Sequence, residues 1–367
     1  CGCGVVFKLI QAHASTMGIE VQELQPYLDL VATASAADIV PILDENRVLT
    51  YFGMQVYQQS PRPGLMALLG ERKQRAVSVT DLVFRVAPRI NAAGRMKHGT
   101  YAVELLLSDS IEEATKRAEA IEVFNEDRKT LDREITEQAL AQIEESGQTD
   151  KASTVVYDPD WHKGVIGIVA SRLIETHYKP TVVFTRSGDV LTASARSVRG
   201  FDLYAALSAC QDHIIQFGGH KYAAGLTIRP EQYDGFCQRL EEVVSKQIQP
   251  EQQERTLSID MEIPIAEITP KFYRIINQMA PFGPGNMRPV FLSKGVVDRG
   301  YAKRVGSDET HLKCSFVAGV QSIDAIGFGL GDALEIVQSS TCDIAYVVDE
   351  NEWNGKTSLQ LNLKGLK

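Results

Sequence analysis

Residues 109–146 read DSIEEATKRAEAIEVFNEDRKTLDREITEQALAQIEES, a run with neither Gly nor Pro. Apolar residues fall at Ile111, Ala114, Ala118, Ile121, Phe124, Leu131, Ile135 and Ile143, mostly three, four or seven apart. That is the repeat of one helix face. Ser108 or Asp109 can cap its start, and Gly147 supplies the left-handed stop. At 1.5 Å per residue the helix is roughly 55 Å long, more than one small domain needs. The spacing therefore predicts a long connecting helix over 108–147 with a domain on either side.

Beyond Gly147 the pattern restarts. Residues 152–157, 181–185 and 191–197 read as strands, and 164–175, 203–209 and 233–245 as helices. The alternation predicts an α/β domain over 148–247. Residues 248–254 are polar, Gln-rich and carry Pro250, the composition of a linker. From 256 onward β signals dominate, at 257–263, 290–297, 312–317, 322–328, 341–348 and 358–363. Short strands at that spacing predict a small barrel over 256–367.

On the other side of the helix, residues 1–107 alternate short helical patterns with one β-like run, Leu28 to Ala34. It leads into Ala36-Ala37-Asp38-Ile39-Val40-Pro41. A strand ending in an acidic residue before a turn is how open α/β sheets present ligands. The chain opens on Cys1-Gly2-Cys3-Gly4-Val5-Val6, without Met and straight into a helical pattern. The expectation is a fragment of a longer protein.

Composition narrows the class. Hydrophobic residues are 44% and charged residues 23% of 367, which excludes a disordered tail, a collagen-like fibre or a coiled-coil rod. Six cysteines (Cys1, Cys3, Cys210, Cys237, Cys314, Cys342) contain no C-x-x-C pair. They read as reduced thiols of a cytoplasmic protein, not a disulfide framework or a zinc ribbon. No apolar run reaches the ~18 residues of a membrane span. No Walker loop, dinucleotide fingerprint, H-E-x-x-H or G-x-S-x-G occurs, so ATP-driven and serine-hydrolase chemistry lose support.

The formal charge of −9 speaks at first against a polyanionic partner. Its distribution removes the objection. Residues 108–150 hold 13 acidic and 5 basic side chains, and residues 230–262 hold 8 and 3. Segments 1–107 and 151–229 instead carry net charges of +1 and +3.

The residues able to carry chemistry lie in those last two segments. Asp38 is placed to ligate a hard divalent cation, although an Asp there also serves as a helix cap or turn residue. Pro88-Arg89-Ile90-Asn91-Ala92-Ala93-Gly94-Arg95 sets two guanidinium groups and an amide among small residues, with no acidic neighbour from Phe84 to Lys97. Arginine makes bidentate phosphate contacts, and small residues let a ligand backbone approach; a solvated basic turn is the competing reading. In Trp161-His162-Lys163-Gly164-Val165-Ile166-Gly167, a His and a Lys precede a helix start that can offer N–H groups to an anion. Ser194-Ala195-Arg196-Ser197 adds hydroxyls and a guanidinium at a strand end. Phe217-Gly218-Gly219-His220 adds exposed backbone and an imidazole able to bind phosphate or move a proton. Ala280-Pro281-Phe282-Gly283-Pro284-Gly285-Asn286 reads as structural turn chemistry.

In this order, the Asp38, Arg89–Arg95, Trp161–Arg172, Ser194–Ser197, Gly218–His220 and Phe282–Asn286 motifs resemble the RecJ-type single-strand-specific exonucleases of the DHH phosphoesterase superfamily. The resemblance spans nearly the whole chain. It implies the C-terminal part of a DHH phosphoesterase domain over 1–107, a DHH-associated domain over 148–247 and an OB-like barrel over 256–367. It also implies a two-metal phosphodiesterase, using Mn²⁺ or Mg²⁺, that digests single-stranded DNA from the 5′ end in repair and recombination. Helicase and single-strand-binding partners would accompany it.

By the same resemblance, Asp38 is a metal ligand. Arg89, Asn91, Arg95, His162, Ser194 and Arg196 hold phosphates, and His220, Gly218 and Gly219 line the scissile bond. The chain holds no Asp-His-His triplet, from which the family builds most of its metal site. The expectation is a fragment inactive by itself. Two alternatives stand beside this reading: a DHH phosphodiesterase for oligoribonucleotides or cyclic dinucleotides, and a non-catalytic superfamily member in a replication complex. The short-substrate enzymes are typically shorter and lack the C-terminal barrel, so residues 256–367 favour a polymer substrate; the non-catalytic members have lost the metal site.

Overall fold

A computed structural model describes residues 1–70, 76–319, 321–339, 341–353 and 355–367. The chain opens with helices α1 (Gly2–Met17), α2 (Leu28–Ala37), α3 (Asp44–Gln59) and α4 (Pro63–Leu69). Short α5 (Val79–Asp81), α6 (Ala87–Met96) and α7 (Thr100–Leu106) precede the long α8 (Ile111–Glu145). Then come β1 (Thr154–Tyr157), α9 (Ile166–Thr176), β2 (Thr181–Ser187), β3 (Val190–Arg196) and α10 (Leu203–Ser208). Strands β4 (Gln216–His220) and β5 (Ala223–Ile228) lead to α11 (Tyr233–Gln247). The last part holds β6 (Met261–Glu262), α12 (Pro270–Asn277), β7 (Phe291–Val296), β8 (Lys303–Val305) and β9 (His311–Ala318). It closes with β10 (Gln321–Gly327), α13 (Leu334–Ser339), β11 (Cys342–Trp353) and β12 (Lys356–Leu366).

These elements form two compact units. One comprises Cys1–Pro61, Gln74–Val83 and Thr256–Lys367, and the other Arg62–Lys73 and Phe84–Arg255.

The second of these is built on a sheet of order β1-β2-β3-β5-β4. β1 and β2 are parallel and joined through α9; the other pairs are antiparallel. Strand period sends Val182 and Val183 to opposite faces. Val182 joins Phe184, Leu191, Ala193, Phe236 and Leu240 in a core under α10 and α11. Val183 joins Ile135, Ala139, Ile143, Val169 and Leu173 under α8 and α9.

Helix α8 runs 35 residues, about 52 Å. Ser110 caps it by accepting from Glu113 N–H at 3.2 Å, two residues later than Ser108, and Gly147 follows at φ 63°. Its first half packs on α4, α6 and α7 and its second on α9 and β1. Gln142 fixes it to the sheet, donating to Tyr157 O and accepting from Tyr157 N, both at 3.0 Å. Rather than bridging two bodies as a bare connector, the helix lies within one unit and is clad along its length.

In the other unit, the β-like run Leu28–Ala34 is helical, a correction to the sequence expectation. Leu28, Val31, Ala32, Ser35 and Ala36 are buried at helical spacing, and four alanines in ten residues favour that state. Burial on nearly every side had left no contrast to tell helix from strand. α3 lies so close to α2 that a Cβ on Gly53 would overlap Leu28 O.

The C-terminal strands make one sheet of order β6-β7-β11-β12-β10-β9-β8. Its core holds Phe291, Leu312, Phe316, Ala325, Ile344, Tyr346 and Leu361. Among the described residues no pairing joins β6 to β8, so the small OB-like barrel expected here takes the form of an open seven-stranded sheet. Its two end strands are only two and three residues long. Within the same unit, Ile42 N–H donates to Pro284 O at 2.6 Å. Arg47 donates to the carbonyls of Met279 and Ala280 at 3.0 and 3.2 Å. The Pro281–Asn286 turn thus braces the segment that follows Asp38. No helix among the described residues is long and apolar enough to cross a membrane.

Candidate functional site

Strand β3 alternates. Leu191, Ala193 and Ala195 enter the core, while Thr192, Ser194 and Arg196 point to the other face. Register extends that face across the sheet. Ser194 pairs with Gly225, and Gly225 with Gly218; Arg196 pairs with Ala223, and Ala223 with His220. Ser194, Arg196, Gly218 and His220 therefore share one side. α9 packs on β2 and β3, and beyond it the sheet carries exposed Gly218 and Gly225. The result is a shallow groove of about 380 Å³ lined by Lys163, Thr192, Gln216, Gly218, Gly225 and Thr227.

The turn leading into α9 borders this face. His162 Nδ1 accepts from Gly164 N–H at 3.1 Å, and Arg95 donates to Gly164 O at 3.1 Å. A Cβ on Gly164 would overlap Arg95 O, and one on Gly167 would stand 3.0 Å from Ser194 Oγ and 3.2 Å from an Arg196 guanidinium nitrogen. Glycine at both positions lets the turn, α6 and β3 meet. Arg196 donates to Ser194 Oγ at 3.0 Å and to Ala195 O at 2.9 Å. Burial and the nearby charge of Arg95 push its guanidinium below the ordinary arginine value. Among the described residues no carboxylate pairs with Arg95 or Arg196. Two guanidinium groups are thus held close, one of them largely buried, without a counter-ion. That arrangement favours an anion.

Helix α8 contributes a polar stripe that turns toward the elements packed on it. Glu122 pairs with Arg89 and accepts from Asn125 at 3.0 Å; Arg128 donates to Asn125 Oδ1 at 3.1 Å. Asp132, 1% exposed, lies 3.9 Å from Arg128 and takes two hydrogen bonds from Arg172 Nε, at 2.8 and 2.9 Å. Burial would raise the Glu122 pKa, but the Asn125 and Arg89 hydrogen bonds outweigh it and hold it below the usual range. The spacing of three, three and four along residues 122, 125, 128 and 132 was the signal available in the sequence.

Contacts link Arg95, His162, Ser194 and Arg196 through Gly164 and Gly167. Asn91, exposed, lies one helical turn before Arg95 on α6 and shares its side. Arg89 faces α8 and is paired with Glu122, so the basic run has an acidic partner after all, supplied from 33 residues away. His220 is exposed at the end of β4, its Nδ1 accepting from Tyr222 N–H at 3.3 Å. Gly219 has φ 151°, and a Cβ there would overlap Ala223 O. The paired glycines lie within paired strands rather than in a loose loop.

Asp38 belongs to the other unit. It is exposed and follows the last turn of α2, its N–H donating to Ala34 O at 2.9 Å, so it is not at a strand edge. A carboxylate there meets the negative end of the helix. Among the described residues no three His, Cys, Asp or Glu side chains are grouped to hold a metal ion. A two-metal centre needs several such ligands, and this donor set does not supply them.

The C-terminal sheet has a groove of its own, about 640 Å³, lined by Arg299, Tyr301, Lys303, Lys313, Ser315 and Ser322 among others. Asp298 shapes its rim, accepting from the backbone N–H groups of Gly300, Tyr301, Ala302 and Ser315. Arg299 donates to Ser322 Oγ at 2.8 Å, and Tyr301 is 67% exposed. The sequence reading did not place these residues.

The DHHA1 domain family matches residues 150–246, and the RecJ OB domain family matches residues 259–365. A single-stranded-DNA-specific exonuclease RecJ of Bacillus subtilis is 34% identical over 99% of this chain and 46% of its own length. The RecJ of Dickeya dadantii is 33% identical over 100% of this chain and 67% of its length. RecJ of Thermus thermophilus, solved in complex with Mg²⁺ and with Mn²⁺, superposes with TM-scores of 0.85 and 0.86 at 28% identity, over 99% of this chain. The chain thus spans about half to two thirds of the relatives it matches. With this similarity along its whole length, the chain belongs to the RecJ family of single-stranded-DNA-specific exonucleases.

Proposed function

We propose that this chain is the nucleic-acid-holding part of a divalent-metal-dependent exonuclease that hydrolyses phosphodiester bonds of single-stranded DNA from the 5′ end. One observation carries the reading: Arg95 and Arg196 flank a single glycine-bearing turn with no carboxylate between them. A phosphate group supplies the missing charge. Arg95, Arg196 and the Ser194 hydroxyl hold that phosphate, with His162 and Asn91 beside it. The Gly218 backbone and the His220 imidazole line the continuation of the strand along the open sheet face. Arg299, Tyr301, Lys303 and Lys313 grip a strand on the C-terminal sheet by charge and base stacking.

Residues 1–107, 148–247 and 256–367 are on this reading the DHH, DHH-associated and OB parts. Relatives solved with Mg²⁺ and Mn²⁺ support a divalent cofactor. Asp38 is the one ligand position carried here, and the chain alone does not turn over. Its setting is cytoplasmic DNA repair and recombination, with helicase and single-strand-binding proteins as partners.

Two assays test this. Competition for the bound protein between a long oligothymidylate and dinucleotides should favour the long strand; preference for the dinucleotide would support a short-substrate phosphodiesterase instead. Incubation of the purified chain with single-stranded DNA and Mn²⁺ should release no nucleotides. Release would overturn the claim that the chain alone is inactive.

A further inference from the structure

The open face of β3, β5 and β4 carries one more polar row than the phosphate site uses. Register sets Thr192 opposite Thr227, and Thr227 opposite Gln216. The row lies two residues along each strand from Ser194, Gly225 and Gly218, about 7 Å away, and strand period puts it on the same face. Arg196, Ala223 and His220 form the row on the other side of Ser194. The polar face therefore continues past Arg196 and Ser194 for one further step.

Lys163 borders this row. The groove of about 380 Å³ is lined by Lys163, Thr192, Gln216 and Thr227, with Gly218 and Gly225 between them, and no carboxylate lines it. Lys163 and Gln216 are exposed, and Thr192 and Thr227 half-buried. Among the described residues the side chains of Thr192, Gln216 and Thr227 make no hydrogen bond and Lys163 makes no ion pair. The turn that carries Lys163 is fixed on both sides, His162 accepting from Gly164 N–H and Arg95 donating to Gly164 O. One turn thus presents Lys163 to the groove and Gly164 to Arg95. An ammonium takes a phosphate as a point charge, and two hydroxyls and an amide offer donors and acceptors to a sugar and a base. Glycine between them lets a ligand lie against the strands. An apolar occupant would leave these polar groups without partners.

We propose that Lys163, Thr192, Gln216 and Thr227 form a second nucleotide subsite, which holds the unit next to the one whose phosphate sits on Arg95 and Arg196, with Lys163 on its phosphate. The proposal rests on the phosphate-binding reading of Arg95 and Arg196. It makes the sheet face a reader of strand length: a mononucleotide fills the first subsite alone, and a dinucleotide fills both.

The test compares thymidine 5′-monophosphate with 5′-phosphorylated dithymidylate, titrated calorimetrically into the full chain with no divalent metal added. The dinucleotide should bind more tightly. Lys163→Gln should cut that advantage roughly two- to fivefold, leave the mononucleotide unchanged, and make the log K against log salt slope of the dinucleotide shallower by about 0.7. In ¹⁵N-labelled chain the side-chain amide resonance of Gln216, identified by its loss in Gln216→Ala, should shift with the dinucleotide and stay in place with the mononucleotide. Both substituted side chains are exposed, so the variants report on binding and not on folding.

Arg196→Gln should weaken both ligands. If it does so while Lys163→Gln leaves the dinucleotide advantage intact, or while the Gln216 resonance stays fixed, the second subsite is overturned and the phosphate reading of Arg196 stands. Equal weakening of both ligands by Lys163→Gln also overturns the subsite, because it places Lys163 on the first phosphate. An Arg196→Gln chain that binds both ligands as tightly as the parent overturns the underlying reading.

Discussion

Arg196 and His220 stand in one cross-strand row: each is the register partner of Ala223, from opposite sides of β5. Two strand spacings separate their backbones, about 10 Å. Ser194 and Gly218 repeat the relation across Gly225. The row converts two motifs more than twenty residues apart into a single face, with a guanidinium at one end and an imidazole at the other. Small residues between them leave the backbone open to a ligand.

Gly218 and Gly219 should respond oppositely to substitution. A Cβ on Gly218 meets nothing within 4 Å, so Gly218→Ala should change stability by less than about 0.5 kcal/mol while crowding the groove and weakening strand binding. Gly219 sits at φ 151° against Ala223, and Gly219→Ala should cost about 1–3 kcal/mol. Urea denaturation and fluorescence anisotropy, run on both variants, separate the two effects.

Asp132 anchors α8 to α9. Its side chain is buried and bidentate to Arg172 Nε, with Arg128 close by. Asp132→Ala leaves two guanidinium groups without their carboxylate and should destabilise the chain by about 3 kcal/mol or more. Equilibrium unfolding in denaturant measures it; a loss below about 1 kcal/mol would contradict the assigned role.

Acid should loosen the α/β unit through Glu241. Burial alone would raise its pKa, but hydrogen bonds from Ser153, Ala152 and Ser245 overcome that and depress it. A depressed folded value means the stabilisation is complete above the unfolded glutamate pKa of about 4.3 and disappears as pH falls through the folded value. Thermal midpoints recorded from pH 7 down to pH 3 should fall on the acid side. Glu241→Gln should start about 1–2 kcal/mol less stable at pH 7 and lose less over the same range.

Much of the α/β unit was legible, because alternating strands and helices such as Thr181–Ser187 and Tyr233–Gln247 carry contrast between buried and exposed faces. Helix α2 was not, since burial on nearly every side erased its period. Strands β4 and β5 escaped because Gln216–His220 and Ala223–Ile228 are rich in Gly and Ala, residues of low strand propensity held here by pairing. Arg95, His162, Ser194 and Arg196 were picked out by motif chemistry, and the fold gathers them around Gly164 and Gly167. Glu122, Asn125, Arg128 and Asp132 were missed because a charge sum over α8 records sign but not direction. Only the packed helix tells which of its charges turn inward.

The central claim is that Arg95 and Arg196 bind phosphate of a single strand. Its most direct test is the salt dependence of oligothymidylate binding to the chain and to its Arg95→Gln/Arg196→Gln double variant. Each phosphate contact on a single strand contributes about 0.7 to the slope of log K against log salt. The double variant should therefore bind more weakly, with a slope shallower by about 1.4. Equal affinity and equal slope in the folded double variant would contradict the account.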